Sequence, residues 1–96
     1  RKVYTQIKRN ELRMIIELFD KGPETPFKLD QSFEPKSKNP NPENVKKFAI
    51  LQKYNRVNLV VPIGATHMYY AAMDEKSCCL TTLGKSYWVM VKKDVI

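Results

Sequence analysis

This sequence predicts a small α+β domain with three or so helices, a small antiparallel β-hairpin and a C-terminal helix. Three observations carry that expectation. Apolar residues recur at helical spacing in three places, near residues 12–19, 45–54 and 83–91. Two short stretches, 67–73 and 77–80, flank the polar turn Asp74-Glu75-Lys76 and read as the two strands of the hairpin. Between the first two helical patterns, residues 23–42 hold five prolines (Pro23, Pro26, Pro35, Pro40, Pro42) and read as a Pro-rich internal loop.

The first helix rests on Leu12, Ile15, Ile16 and Phe19, an i, i+3, i+4, i+7 stripe widened by Met14 and Leu18. Thr5 or Asn10 is the candidate N-cap, and Gly22-Pro23 supplies the stop. In the loop only Phe27, Leu29 and Phe33 look buried, with one compact turn expected around 29–33. Asn41-Pro42-Glu43 then starts the next helix strongly: a capping amide, proline at the first position and an acid in the first turn. Val45, Phe48, Ala49 and Leu51 are expected inside, with Ile50 and Tyr54 at the border. Thr81 or Thr82 caps the last helix, whose stripe is Leu83, Tyr87, Met90 and Val91 with Trp88 beside it.

Helix, hairpin and closing helix in that order resemble the second half of a winged-helix domain, chiefly over residues 44–93 and more weakly over 10–22. The resemblance implies a recognition helix over 44–54 and a wing over 67–80. It also implies a function in binding nucleic acid or other proteins. The segment 23–42 departs from the family pattern, which has a short strand and a second helix there. The predicted wing turn, Asp74-Glu75-Lys76, is net acidic, which argues against insertion into a DNA groove.

The 96 residues fit one domain, and a start at Arg1 suggests part of a longer protein. Composition is that of a soluble globular chain, with 43% hydrophobic and 28% charged residues. No apolar run approaches the ~20 residues of a membrane span, and no secretory leader opens the chain. Cys78 and Cys79 are adjacent, so on a strand they point to opposite faces and do not form an ordinary disulfide with each other. Two unpaired thiols favour an intracellular site, nuclear or cytoplasmic.

The net charge of +7 is segregated along the chain. Arg1, Lys2, Lys8, Arg9 and Arg13 outweigh Glu11 at the N-terminus, whereas residues 14–35 are net acidic. Residues 36–56 then carry Lys36, Lys38, Lys46, Lys47, Lys53 and Arg56 against Glu43 alone. Such segregation suits an anionic partner. The expected nucleic-acid-binding residues are therefore Lys36, Lys38, Lys46, Lys47, Lys53, Arg56 and Arg9. Lysines grip phosphate and read bases poorly, so the expected partner is nucleic acid, duplex DNA with low sequence selectivity. Gln52 and Asn55 are the only amides placed to reach a base edge. The alternative is a protein-interaction module in a larger complex, or a regulatory domain of a larger enzyme.

Chemistry is not expected. One histidine, three scattered glycines and no paired carboxylate motif leave no catalytic constellation, no metal, no cofactor and no evident small-molecule substrate. A Cys78–His67 nucleophile pair would need both residues to meet across the hairpin, which the predicted strand pairing disfavours.

Overall fold

The computed structural model describes residues 7–95. Thr5, Arg1, Lys2 and Ile96 lie outside the described residues. The first apolar stripe forms two short helices, α1 (Arg9–Arg13) and α2 (Ile15–Leu18), rather than one continuous helix. The break coincides with a tertiary contact. The Tyr54 hydroxyl donates to the Glu11 carbonyl, the acceptor that the Ile15 N–H would use in an unbroken ladder. The Met14 N–H turns to that same carbonyl in a 3₁₀-type i→i−3 bond of 3.3 Å. Lys8 is the N-cap, not Asn10, and the Glu11 carboxylate closes the turn by accepting the Lys8 N–H at 3.2 Å. Gly22 follows at φ 117°, in the left-handed region open to glycine.

The proline-rich segment is more ordered than the loop expected of it. It contains strand β1 (Phe27–Lys28) and a 3₁₀ turn, Gln31–Phe33. The Asp30 carboxylate accepts the Ser32 N–H at 2.8 Å and so caps that turn. Leu29 and Phe33 are buried, as expected, and Phe27 packs against both Phe19 and Phe33. The turn at 29–33 is therefore present where a short apolar motif suggested it.

Helix α3 (Pro42–Arg56) begins as its start signal predicts. The Asn41 side chain accepts the N–H groups of Glu43 and Asn44, and Pro42 occupies the first turn. Its inner face differs from the expectation. Phe48, Leu51 and Tyr54 are buried, whereas Ala49 is exposed. Tyr54 belongs to the centre of the core because its hydroxyl finds main-chain acceptors on α1. The helix ends in a Schellman turn: Leu59 N–H reaches the Tyr54 carbonyl, Asn58 N–H reaches Asn55, and Asn58 sits at φ 65°.

The predicted hairpin is replaced by a three-stranded antiparallel sheet. Strand β2 (Val60–Ile63) pairs with β3 (Ser77–Leu80) in the register Val60↔Leu80, Val61↔Cys79, Pro62↔Cys78, Ile63↔Ser77. β1 pairs with the other side of β3, giving the order β1-β3-β2. Residues 67–73, expected as a strand, hold helix α4 (Met68–Met73) in the connection between β2 and β3. The spacing accounts for the helix: Met68, Ala71 and Ala72 lie at i, i+3, i+4, and these are the residues buried. The Asp74-Glu75-Lys76 turn is a Schellman end with Glu75 at φ 55°, not a hairpin loop.

Helix α5 (Thr82–Lys92) closes the fold. The Thr81 hydroxyl caps it by accepting the Gly84 N–H at 3.0 Å and donates to the Asn58 carbonyl at 2.6 Å. Tyr87 and Val91 are buried and Trp88 donates its indole N–H to the Phe19 carbonyl at 3.0 Å, while Leu83, expected on the inner stripe, is exposed. A Cβ on Gly84 would lie 2.1 Å from the Leu59 carbonyl oxygen, so only glycine allows α5 to approach the start of β2 this closely. No helix among the described residues is long and apolar enough to cross a membrane.

Candidate nucleic-acid interface

Helix α3 positions the site because its inner face is fixed on three sides. Tyr54 ties it to α1, Asn44 donates its amide to the Ser32 hydroxyl at 2.9 Å, and Asn55 donates its amide to the Val60 carbonyl at 2.8 Å. Turning 100° per residue, the helix then places Lys46, Ala49, Lys53 and Arg56 along the opposite, outward side. Lys46 and Arg56 are exposed at either end of this stripe. Lys46 and Lys53 stand two turns apart, about 10 Å along the axis.

The N-terminus of α1 meets this stripe. Lys53 Nζ bonds Glu11 Oε2 at 2.6 Å, while Glu11 Oε1 accepts the Lys8 main-chain N–H. Exposed Lys8 therefore borders the C-terminal half of α3. The Lys53 hydrogen bond holds the Glu11 carboxyl below its usual pKa, although partial burial works against it. Three of the residues expected from sequence thus share one stripe: Lys46, Lys53 and Arg56. Arg9 is exposed on α1, on the face that carries Arg13 rather than Glu11.

The other three do not join them on α3's outward stripe. Lys47 turns to the flank of α3, where it lines a hollow with Met14, Glu17, Leu18, Asp20 and Phe27. Lys38 borders a polar recess with Asp30, Gln31, Ser32, Asn39 and Glu75. Lys36 is exposed on the loop after the 3₁₀ turn, its N–H bonded to the buried Glu34 carboxylate at 2.9 Å. Of the two amides expected near a base edge, Asn55 is committed to Val60, and only Gln52 keeps a half-exposed place beside the stripe.

A second exposed surface is aromatic rather than basic. Tyr69 and Tyr70 project from α4 with 42% and 50% exposure, their ring centroids 5.3 Å apart and nearly perpendicular. Val61 and Ile63 are exposed on β2. The outer edge of β2 is itself blunted, because Pro62 lacks an N–H and the Val60 carbonyl is taken by Asn55.

The cysteines are unreactive or unremarkable in placement. Cys78 is buried in the core, and burial pushes its thiol pKa up to about 12, the opposite of nucleophile activation. Cys79 is half-buried on the other face of β3. Among the described residues no group of three or more His, Cys, Asp and Glu side chains is placed to hold a metal ion.

Sequence reasoning missed Glu11 as part of this region and treated it only as a counter-charge. Its partner Lys53 is 42 residues away, and nothing in the chain marks the pair. No protein-family model, curated protein or solved structure matches the chain.

Proposed function

We propose that this chain is a non-catalytic nucleic-acid-binding module of winged-helix type, gripping the phosphate backbone through the outward face of α3. The observation that carries the reading is the stripe Lys46, Lys53 and Arg56, joined at one end by Lys8, on a helix whose other side is fixed in the core. The order of elements supports the winged-helix part: a helix pair, a short strand, a helical turn, a long helix, and two antiparallel strands of a sheet ordered β1-β3-β2. In that plan α3 takes the recognition-helix position, and the α4 connection replaces a simple wing. Phosphate contacts by Lys and Arg release counterions, so affinity falls steeply with salt and discriminates little between sequences.

The test is a salt titration of binding to a labelled generic DNA duplex by fluorescence anisotropy, with the Lys46→Glu/Arg56→Glu double variant alongside. Micromolar binding that weakens with salt and is lost in the variant supports the reading. No binding by the wild-type chain at ~50 mM salt, where nonspecific electrostatics are strongest, removes it.

A second reading, a protein-interaction module, draws on the exposed Tyr69, Tyr70, Val61 and Ile63. Tyrosine-centred apolar surface with a polar rim is the composition of protein interfaces. Its signature would be a partner whose binding is lost in Tyr69→Ser/Tyr70→Ser and indifferent to salt.

A further inference from the structure

The basic stripe contains one anion of its own. Glu11 is the acid that reaches it, and it does so from another element: its carboxylate sits on Lys53 Nζ at 2.6 Å and on the Lys8 N–H at 3.2 Å. The Glu11 side chain is 17% exposed and that of Lys53 36%, so the pair lies at the surface boundary, where an incoming ligand can reach the ammonium. Two donors, one charged, converge on a pair of oxygens, which is the arrangement a phosphate group would also satisfy. The Glu11 backbone is held independently, since its carbonyl accepts the Tyr54 hydroxyl.

We infer that Glu11 is an internal competitor for phosphate at Lys53, an affinity-setting residue that weakens nucleic-acid binding by occupying the cation a backbone phosphate would take. This rests on the reading of α3 as the nucleic-acid face. Binding replaces one anion by another at Lys53 Nζ, so no net counterion is released there, and the carboxylate left behind repels the incoming phosphate. Lys53 thus adds little to affinity in the wild-type chain, whereas Lys46 and Arg56 carry it. The consequence is a module held to weak, salt-sensitive contact. Removing a single negative charge, with no new group added, tightens it.

Glu11→Gln is a clean probe, because glutamine keeps the shape, still accepts the Lys8 N–H at this capping position, and leaves the Tyr54 bond untouched. The experiment is the anisotropy titration with a labelled generic DNA duplex on four proteins: wild type, Glu11→Gln, Lys53→Gln and the double variant. Circular dichroism melts confirm that each is folded. Lys53→Gln, which leaves the Glu11 carboxylate unpaired, should bind no more tightly than wild type. Glu11→Gln should bind several-fold tighter, with a slope of log affinity against log salt steeper by about one phosphate contact. The double variant should lose that extra slope. Equal or weaker binding by Glu11→Gln, with wild-type binding still abolished by Lys46→Glu/Arg56→Glu, overturns the competitor role and leaves the α3 face standing. Binding by none of the four proteins removes both.

Discussion

Helices α3 and α4 are fastened by the same devices and expose opposite chemistries. Each buries one stripe, Phe48, Leu51 and Tyr54 in α3 and Met68, Ala71 and Ala72 in α4. Each ends in a Schellman turn whose left-handed residue is not glycine, Asn58 after α3 and Glu75 after α4. Each leads directly into a strand of the same sheet, β2 or β3. Outside, α3 shows Lys46, Lys53 and Arg56, whereas α4 shows Tyr69 and Tyr70 and ends on Asp74 and Glu75. The fold places both helices chiefly by apolar burial and main-chain satisfaction, and of these outward residues Lys53 also pairs with Glu11. What those outward residues have in common is therefore evidence about partners.

The two helices differ in how firmly the neighbouring chain holds them, and glycine substitutions expose that difference most strongly. At the end of α3, a Cβ on Gly84 would lie 2.1 Å from the Leu59 carbonyl oxygen, a main-chain atom that cannot move without opening the α3–β2 corner. Gly84→Ala should therefore cost about 3 kcal/mol, the upper part of the usual overpacking range, and shift the urea midpoint accordingly. Before α4, a Cβ on Gly64 meets only the flexible stem of Lys76, at 3.4 Å. Gly64→Ala pays mainly for its φ of 80°, about 1 kcal/mol. Equal losses at the two positions would mean that the two corners are held alike.

Binding should separate the helices next. Lys46→Glu/Arg56→Glu removes two cations from the α3 face and installs two anions, so affinity for a DNA duplex should fall at least ~10-fold near 100 mM salt. Tyr69→Ser/Tyr70→Ser leaves the charge unchanged and should move duplex affinity less than about twofold. A reversal of this ranking would move the interface to α4 and favour the protein-partner reading. Stability melts on the same samples show whether either effect is indirect.

Of this fold, the parts legible in the sequence are those fixed by local chemistry. The start of α3 was written in Asn41-Pro42-Glu43, the Thr81 cap stood before α5, and β3 lay where residues 77–80 suggested it. The errors fell where two periods compete over a short stretch. Residues 67–73 carry Tyr-Tyr, which suits a strand, and Ala-Ala, which suits a helix; burial of Ala71 and Ala72 against the sheet decided for the helix. No strand was expected over residues 60–63; Pro62 is tolerated there because β2 is an edge strand. In the candidate site, α3 could be identified from its lysines. The pairing of Lys53 with Glu11, and the hollow that Lys47 shares with Glu17 and Asp20, could not, since both depend on residues arriving from α1 and the segment around α2.

The left-handed caps sharpen the comparison at a smaller scale. Asparagine tolerates the left-handed region better than glutamate, whose longer side chain gains no local hydrogen bond there. Glu75→Gly should therefore stabilise the chain by about 0.5–1 kcal/mol, and Asn58→Gly by less. Thermal melts resolve the first shift. A destabilised Glu75→Gly would mean that the α4 cap owes its stability to the glutamate side chain rather than tolerating it.

The smallest effect concerns the ion pair that joins α1 to α3. The Lys53 hydrogen bond lowers the Glu11 pKa in the folded chain below its ordinary value of 4.5. A carboxyl depressed by folding contributes stability that is fully present above its unfolded pKa and is lost as pH falls through the folded one. For Glu11 that window lies below pH 4.5, so the pair contributes fully at neutral pH and disappears in acid. The pair is partly exposed, which limits it to about 0.5 kcal/mol. Glu11→Gln should accordingly be slightly less stable than wild type at pH 7, and the gap should close in acid, at a pH well below the lowered folded pKa of Glu11. Urea midpoints at the two pH values measure the difference. A gap that persists in acid would assign the contribution of Glu11 to its uncharged contacts, leaving no electrostatic hold on Lys53 for a phosphate to displace.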